Sequence, residues 1–450
     1  MSAALGGGLG GDKGLRMPLL ETLRLAWADP ELKAKILFVL AMFGVFALGV
    51  NVPVPIPGVS PERLADAMKN IPFFQLADLF GGGALRKVSI FALGLNPYIT
   101  ASIIMQILTT AMPQWKKEMQ EGGEYARRQQ NRRTRFLTIF LCIAQAMGLI
   151  QILRQYDAIP GTATWWVTAT IVIFWTAGAM FMLWLGEQIS EKGIGNGVSL
   201  MIFAGIILSM PYQVGTLVQL VSDDPGRIVG ATLLILIFLA TTWLIVLFTT
   251  AQRRIPIQHM RRQIGTRMMG GQTSYLPLSV NMAGVIPIIF AVSLVMMPGQ
   301  FAAMFPIGST MNTVLNTIGE YLNPMSSFPQ NIVAYVLYTL LIFFFTYFYT
   351  AIQYNVEDMS NNLKRHGSFI PGVRPGKQTK DFLDGVISRI TVVGAFFLAF
   401  VALVQYLAWG ITDIQGVSIV GGTSLLIMVS VALETMRQIE ANLLMKKYGA

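Results

Sequence analysis

The sequence predicts an all-α membrane protein of ten transmembrane helices, and three observations predict it. Apolar residues fill 54% of the 450 positions and charged residues only 12%, about half the charged share of a soluble globular protein. Apolar runs long enough to cross a bilayer recur along the chain. Positive charge, finally, is confined almost wholly to alternate segments between those runs, as membrane topology requires.

Residues 1–35 are mixed, Gly-rich from Gly6 to Gly11 and amphipathic from Pro18 to Lys35. The first apolar run, 36–50, ends in Asn51-Val-Pro-Val-Pro and not in a small-residue cleavage site. It therefore reads as a retained span, and no cleavable signal peptide is expected. Further spans are expected at 89–111, 136–153, 164–185 and 198–218, then at 228–251, 278–297, 332–353, 390–407 and 417–433. None of these interiors holds an Asp, Glu, Lys or Arg; Arg389 and Glu434 lie just outside two of them.

With a cytoplasmic N-terminus, the cytoplasmic segments carry 27 of the 33 basic residues. The other side holds Arg63, Lys69, Arg86, Lys87, Arg154 and Arg227, and the stretch 298–330 holds no Lys or Arg. Ten spans return the C-terminus, with Lys446 and Lys447, to the cytoplasm. The formal net charge of +10 thus sits in blocks between apolar runs. That placement suits an anionic membrane surface better than nucleic acid.

Three long basic loops are expected at 115–135, 252–275 and 354–384. Positive charge alone would fix topology, but loops of this length with Pro371-Gly372 and Pro375-Gly376 turns also suit docking of a large anionic or acidic partner. Cys142 lies alone in an apolar run, and His259 and His366 are far apart, so neither a disulfide framework nor a metal or other cofactor is expected. Gly372-Val-Arg-Pro-Gly376-Lys377 has three residues between its glycines where a P-loop needs four, and Gln378 where the P-loop needs Ser or Thr. Gly193-Ile-Gly195-Asn196-Gly197 lacks dinucleotide spacing and reads as a tight helix entry. No catalytic constellation is visible, so an enzyme is not expected.

Between the first two spans, Pro72-Phe-Phe-Gln-Leu-Ala-Asp-Leu-Phe80 is too short to cross and runs into Gly81, Gly82 and Gly83. The next span is interrupted by Gly94 and Pro97. This pattern fits an interfacial helix and an ordinary Pro kink. It fits equally a re-entrant plug before a kinked, pore-lining helix, because irregular backbone at membrane depth must be buried or line a wet cavity. Ser102, Gln106, Asn281 and the run Gly421-Gly-Thr-Ser424 put polar and small residues inside spans, which by itself indicates helix–helix contact.

Several runs resemble the SecY family, in its order and spacing. They are Ser89-Ile-Phe-Ala-Leu-Gly-Leu-Asn-Pro-Tyr-Ile-Thr-Ala-Ser102, Leu185-Gly-Glu-Gln-Ile-Ser-Glu-Lys-Gly-Ile-Gly-Asn-Gly197 and Gln252-Arg-Arg254. Leu276-Pro-Leu-Ser-Val-Asn-Met-Ala-Gly-Val-Ile-Pro287, Phe369-Ile-Pro-Gly-Val-Arg-Pro-Gly376 and Gly421-Gly-Thr-Ser-Leu-Leu-Ile427 complete the set. The resemblance implies two inverted, pseudo-symmetric five-helix halves, 1–222 and 223–450, around a passive protein-conducting channel in the bacterial inner membrane.

It also implies a pore ring of Leu95, Ile99, Ile202, Ile289 and Ile427. Leu95 stands where isoleucine is common, a swap of similar volume. The plug would span about 73–85, with Phe73, Phe74, Leu76, Leu79, Phe80 and the three glycines. Hydrophobic segments would leave sideways past a lateral gate for which Ser102, Gln106 and Asn281 are candidates. Arg253, Arg254 and Arg374 fall where the family receives the ribosome or the SecA motor ATPase, and SecE and SecG are the implied subunits. The alternative function is a secondary transporter, which can also have inverted repeats. Ion-coupled transporters usually carry intramembrane ionisable residues, and these spans carry none.

Overall fold

A computed structural model describes residues 19–55, 81–155, 165–259, 262–264, 267–269, 273–302, 305, 308–322, 330–412, 414 and 421–449. The amphipathic start folds as α1 (Leu19–Ala28), and Asp29 then caps α2 (Pro30–Val50), accepting from the Glu31 and Leu32 amides. Proline at the first helical position loses no intrahelical bond there. Next come α3 (Asn96–Ala111), α4 (Pro113–Glu121), α5 (Gly123–Gln155), α6 (Trp165–Lys192), α7 (Gly197–Asp223) and α8 (Ile228–Thr250).

Beyond α8 the chain forms strands β1 (Gln252–His259), β2 (Arg262–Ile264), β3 (Arg267–Met269) and β4 (Thr273–Ser279). The remaining elements are α9 (Ile286–Ala302), α10 (Thr310–Leu322), α11 (Gln330–Gln353), α12 (Val356–Arg365), β5 (Ser368–Phe369), α13 (Lys377–Thr412) and α14 (Gly422–Gly449). The molecule is thus a helical membrane protein with, among the described residues, a three-stranded sheet and a two-stranded one outside the spans.

Among the described residues, seven helical stretches are long and apolar enough to cross a membrane, those built on α2, α5, α6, α7, α8, α11 and α13. Large apolar side chains such as Leu48, Val229, Trp243 and Phe344 remain exposed, as a bilayer-facing surface requires. The expected second, seventh and tenth spans differ from simple crossings. Helix α3 has 16 residues and α9 has 17, while α14 runs on past Glu434, Arg437 and Glu440 into charged sequence. Each begins later than hydropathy alone suggests. Gly94 (φ 58°) and Pro97 hold α3 back, and Gly284 (φ 65°) with Pro287 does the same for α9.

The basic segments are also more ordered than loops. Residues 115–135 lie in α4 and the first turns of α5, braced by Arg133 on Glu118 (3.0 Å). In the next, β1 pairs with β4 from Gln252↔Ser279 to Gln258↔Thr273, and with β5 at Gln258↔Phe369. Ile255, Leu278, Ile370, Leu383 and Ile387 bury a small core beneath that sheet, so two basic segments form one unit.

Among the described residues, helix pairs that join the parts before and after 223 include α1–α14, α3–α9, α5–α9, α7–α8 and α7–α14. At the first, Ala26, Leu32, Ile194, Met436 and Ile439 are buried together, and Lys446 reaches Asp29 at 3.0 Å. Lys446 holds the Asp29 carboxyl below the usual aspartate range, and its own ammonium is raised by Glu31 and Asp29. The contact therefore stays charged across neutral pH.

Close backbone approach needs glycine at several positions, Gly178 among them. A Cβ on Gly178 of α6 would overlap the Ile90 carbonyl of the segment leading into α3. Gly178→Ala is expected to cost about 1–3 kcal/mol through overpacking. The reading is a lower thermal midpoint in detergent; an unchanged midpoint would mean that the segment yields freely.

Candidate functional site

Three of the five expected ring residues, Leu95, Ile202 and Ile427, belong to one buried cluster, and Ile99 and Ile289 pack against it. They come from four helices and share a local position. Leu95 caps α3 and Ile99 lies in its first turn; Ile289 lies in the first turn of α9; Ile202 and Ile427 lie in the second turns of α7 and α14. Residues near the starts of four helices thus bring aliphatic side chains from distant parts of the sequence to one place. Such side chains offer water no hydrogen bond, and a narrow passage lined by them excludes ions by staying dry.

A polar cavity of about 610 Å³ adjoins this cluster. Arg135, Glu187, Glu191 and Glu434 line it, and Tyr98 and Val198 belong both to its wall and to the apolar packing. Arg135 bridges α5 to Glu187 of α6 at 2.7 Å. Sequence reasoning passed over Arg135 and Glu187 as functional residues. The available signal was the quoted run from Leu185 to Gly197, whose Asn196 caps α7 by accepting from the Ser199 amide. The tight entry expected there is present, with Gly195 at φ 92°.

Of the expected plug, Phe73, Phe74, Leu76, Leu79 and Phe80 lie outside the described residues. Gly81, Gly82 and Gly83 are buried. Gly82 and Gly83 have φ of 68° and 84°, a region open to glycine, and a Cβ on Gly82 would sit 3.2 Å from the Gly205 Cα of α7. Ala84, just beyond, joins the same cluster as the ring residues. The following segment is tied back by an isolated bridge, Pro53↔Ser89, and by Lys87 on Asn51 (2.6 Å).

The gate candidates fall on two elements that meet. Ser102 and Gln106 share one face of α3, where the Gln106 amide donates to the Ser102 hydroxyl at 3.5 Å. Helix α3 packs on α9. Asn281, in the bend before α9, is buried with its Oδ1 unpartnered. On the basic side, Arg253 and Arg254 are exposed on β1 opposite Leu278 and Pro277, and Arg374 is exposed in the turn between β5 and α13.

Comparison with known proteins gives one answer. A family model described as SecY matches residues 89–436. The protein translocase subunit SecY of Chlamydia trachomatis is 40% identical, covering 95% of this chain and 97% of the relative. That of Aquifex aeolicus is also 40% identical, covering 95% and 98%. Among solved structures, one described as that of a protein conducting channel covers 92% of this chain and 93% of its own, with a TM-score of 0.65 at 19% identity. Sec61 in a canine ribosome–channel complex gives a TM-score of 0.62 at 18% identity, again covering 92% and 93%.

Proposed function

Since this chain belongs to the SecY family, and so is a non-enzymatic channel for protein translocation, we propose that Leu95, Ile99, Ile202, Ile289 and Ile427 form its constriction. The single observation carrying this is their convergence on one apolar cluster beside a polar cavity. A charged residue at the centre of a bilayer costs about 2.5–3.5 kcal/mol on insertion scales. A wet vestibule leading to a short dry waist removes most of that cost. Branched side chains then seal around whatever passes.

In this reading ten spans form two inverted five-helix halves, 1–222 and 223–450. The seven long apolar helices, with α3, α9 and α14 as shortened or extended crossings, support that count. The plug, about 73–85, is rooted at Gly81–Gly83, whose burial against α7 supports a closed resting state. Separation of α3 from α9, past Ser102, Gln106 and Asn281, releases hydrophobic segments sideways into lipid. Arg253, Arg254 and Arg374 receive the SecA motor or the ribosome, whose RNA phosphates suit arginine. SecE and SecG complete the complex in the bacterial inner membrane, anionic lipids lie against the basic side, and signal sequences and nascent chains are the cargo.

A photo-crosslinker at Ile289 tests the constriction. A stalled translocating chain is expected to crosslink there and not to a probe at the bilayer-facing Phe344. Equal labelling from both positions, or none from Ile289, would overturn the assignment.

A further inference from the structure

Helix α10 was not expected from hydropathy, and its surface divides into three sectors. One sector packs against the protein. There Asn312 donates from Nδ2 to the Ala302 carbonyl at 2.8 Å, and Asn316 donates to Asn312 Oδ1 at 3.0 Å. Gly319 lies on the same side, where a Cβ would approach Gly299 of α9 at 3.6 Å. A second sector, Thr310, Thr313, Thr317 and Glu320, is polar and exposed. The third is apolar and equally exposed: Met311 59%, Val314 47%, Ile318 42% and Tyr321 44%. Spacings of three, four and three residues align these four along one stripe.

Contact register sets the depth of that stripe. Asn312 lies beside Ala302, and Gly319 lies beside Gly299. The helix therefore folds back across the end of α9, and its C-terminal half sits level with the end of the apolar stretch Ile286–Gly299. Its other neighbour is α11, whose exposed residues Ile332, Val336, Leu340 and Phe344 recur every four positions as a bilayer-facing stripe. The stripe on α10 is apolar and exposed like the one on its neighbour α11. With no Lys or Arg between 298 and 330, headgroup charge has nothing to hold; acyl chains are the matching partner.

We propose that α10 is an interfacial lipid-binding helix. Met311, Val314, Ile318 and Tyr321 insert into the acyl region of the leaflet opposite the basic face, while Thr313, Thr317 and Glu320 face water. A helix with one apolar and one polar long face lies in the boundary plane and buries its apolar side about 5–10 Å deep. Because α10 is bonded to the end of α9, this contact anchors that end of α9 in the membrane.

Fluorescence quenching tests it in the intact translocase complex, reconstituted in phospholipid vesicles. An environment-sensitive dye is placed on Ile318→Cys, Val314→Cys, Thr317→Cys or Leu340→Cys in a Cys142→Ala background. Nitroxide on lipid chains is expected to quench Ile318 and Val314 within about twofold of the bilayer-facing Leu340, and Thr317 less. Iodide in the water is expected to rank them in reverse. Strong iodide quenching at Ile318 and Val314 would place the stripe in a wet exit. Protection from both quenchers would mean a protein covers it. Either outcome overturns the proposal; retained export shows that each variant is folded.

Discussion

Ile289→Asn and Ile427→Asn are expected to make the resting channel leak ions and pass cargo with defective signal sequences. Both positions lie in the apolar packing of the proposed constriction, Ile427 almost wholly buried and Ile289 partly so. An amide left unpartnered in an apolar site costs about 1–3 kcal/mol by protein mutational data. In a hydrated open passage the same amide is satisfied by water, so the penalty falls on the closed state alone. A bias of that size corresponds to roughly 5–150-fold in a two-state equilibrium. Open events in planar bilayers should rise by that factor. Ile289→Leu, of similar volume, should keep the seal, since such swaps cost under about 1.5 kcal/mol. Unchanged conductance in both Asn variants would remove the constriction from these residues. Ile289 is the cleaner test, because Ile427 is more deeply packed and its Asn variant also strains the fold.

Hydropathy and segment length located the long apolar helices because both follow from bilayer thickness and side-chain transfer energy, which act locally. They could not locate where helices begin inside the membrane. At Gly94-Leu-Asn-Pro97 and Gly284-Val-Ile-Pro287 the breakers were visible in the sequence, and the structure starts α3 and α9 just there. At Gly422 the cause lies elsewhere: a Cβ would overlap the Val401 carbonyl of α13, a contact no local pattern discloses.

The sheet was hidden for a related reason. Arg254-Ile-Pro-Ile257 alternates outside and inside, yet its partner Thr273–Ser279 and the capping strand Ser368–Phe369 are distant in sequence. The proposed ring residues likewise came only through family resemblance, because four helices must meet before five aliphatic residues pack together. Glu187 and Arg135 pair 52 positions apart, so the polar cavity they line was not legible at all.

Arg374→Glu is expected to abolish most motor-driven export while leaving the protein folded. The side chain is exposed. The turn that presents it is held by other groups: Thr379 Oγ1 donates to the Arg374 carbonyl at 2.9 Å, and Ser360 Oγ to the Gly376 carbonyl at 3.0 Å. Lys380 on Glu357 (2.9 Å) ties α13 to α12 beside it. Reversing the charge therefore alters what the turn offers a partner and not the turn itself. Removing one member of a buried interfacial charge pair costs about 2–5 kcal/mol, or at least roughly thirtyfold in affinity. Like-charge repulsion adds to that.

The proposed docking thus predicts that SecA binding to reconstituted vesicles weakens by that factor and that export falls in parallel. Raising salt should narrow the gap between variant and parent, as screening of exposed charge dictates. Arg374→Lys separates charge from shape. If the planar guanidinium grips a carboxylate in a two-point contact, lysine restores binding only in part; if charge alone matters, it restores nearly all. Normal SecA binding and normal export by Arg374→Glu would assign the turn to topology only, because a docking arginine cannot be reversed in charge without consequence.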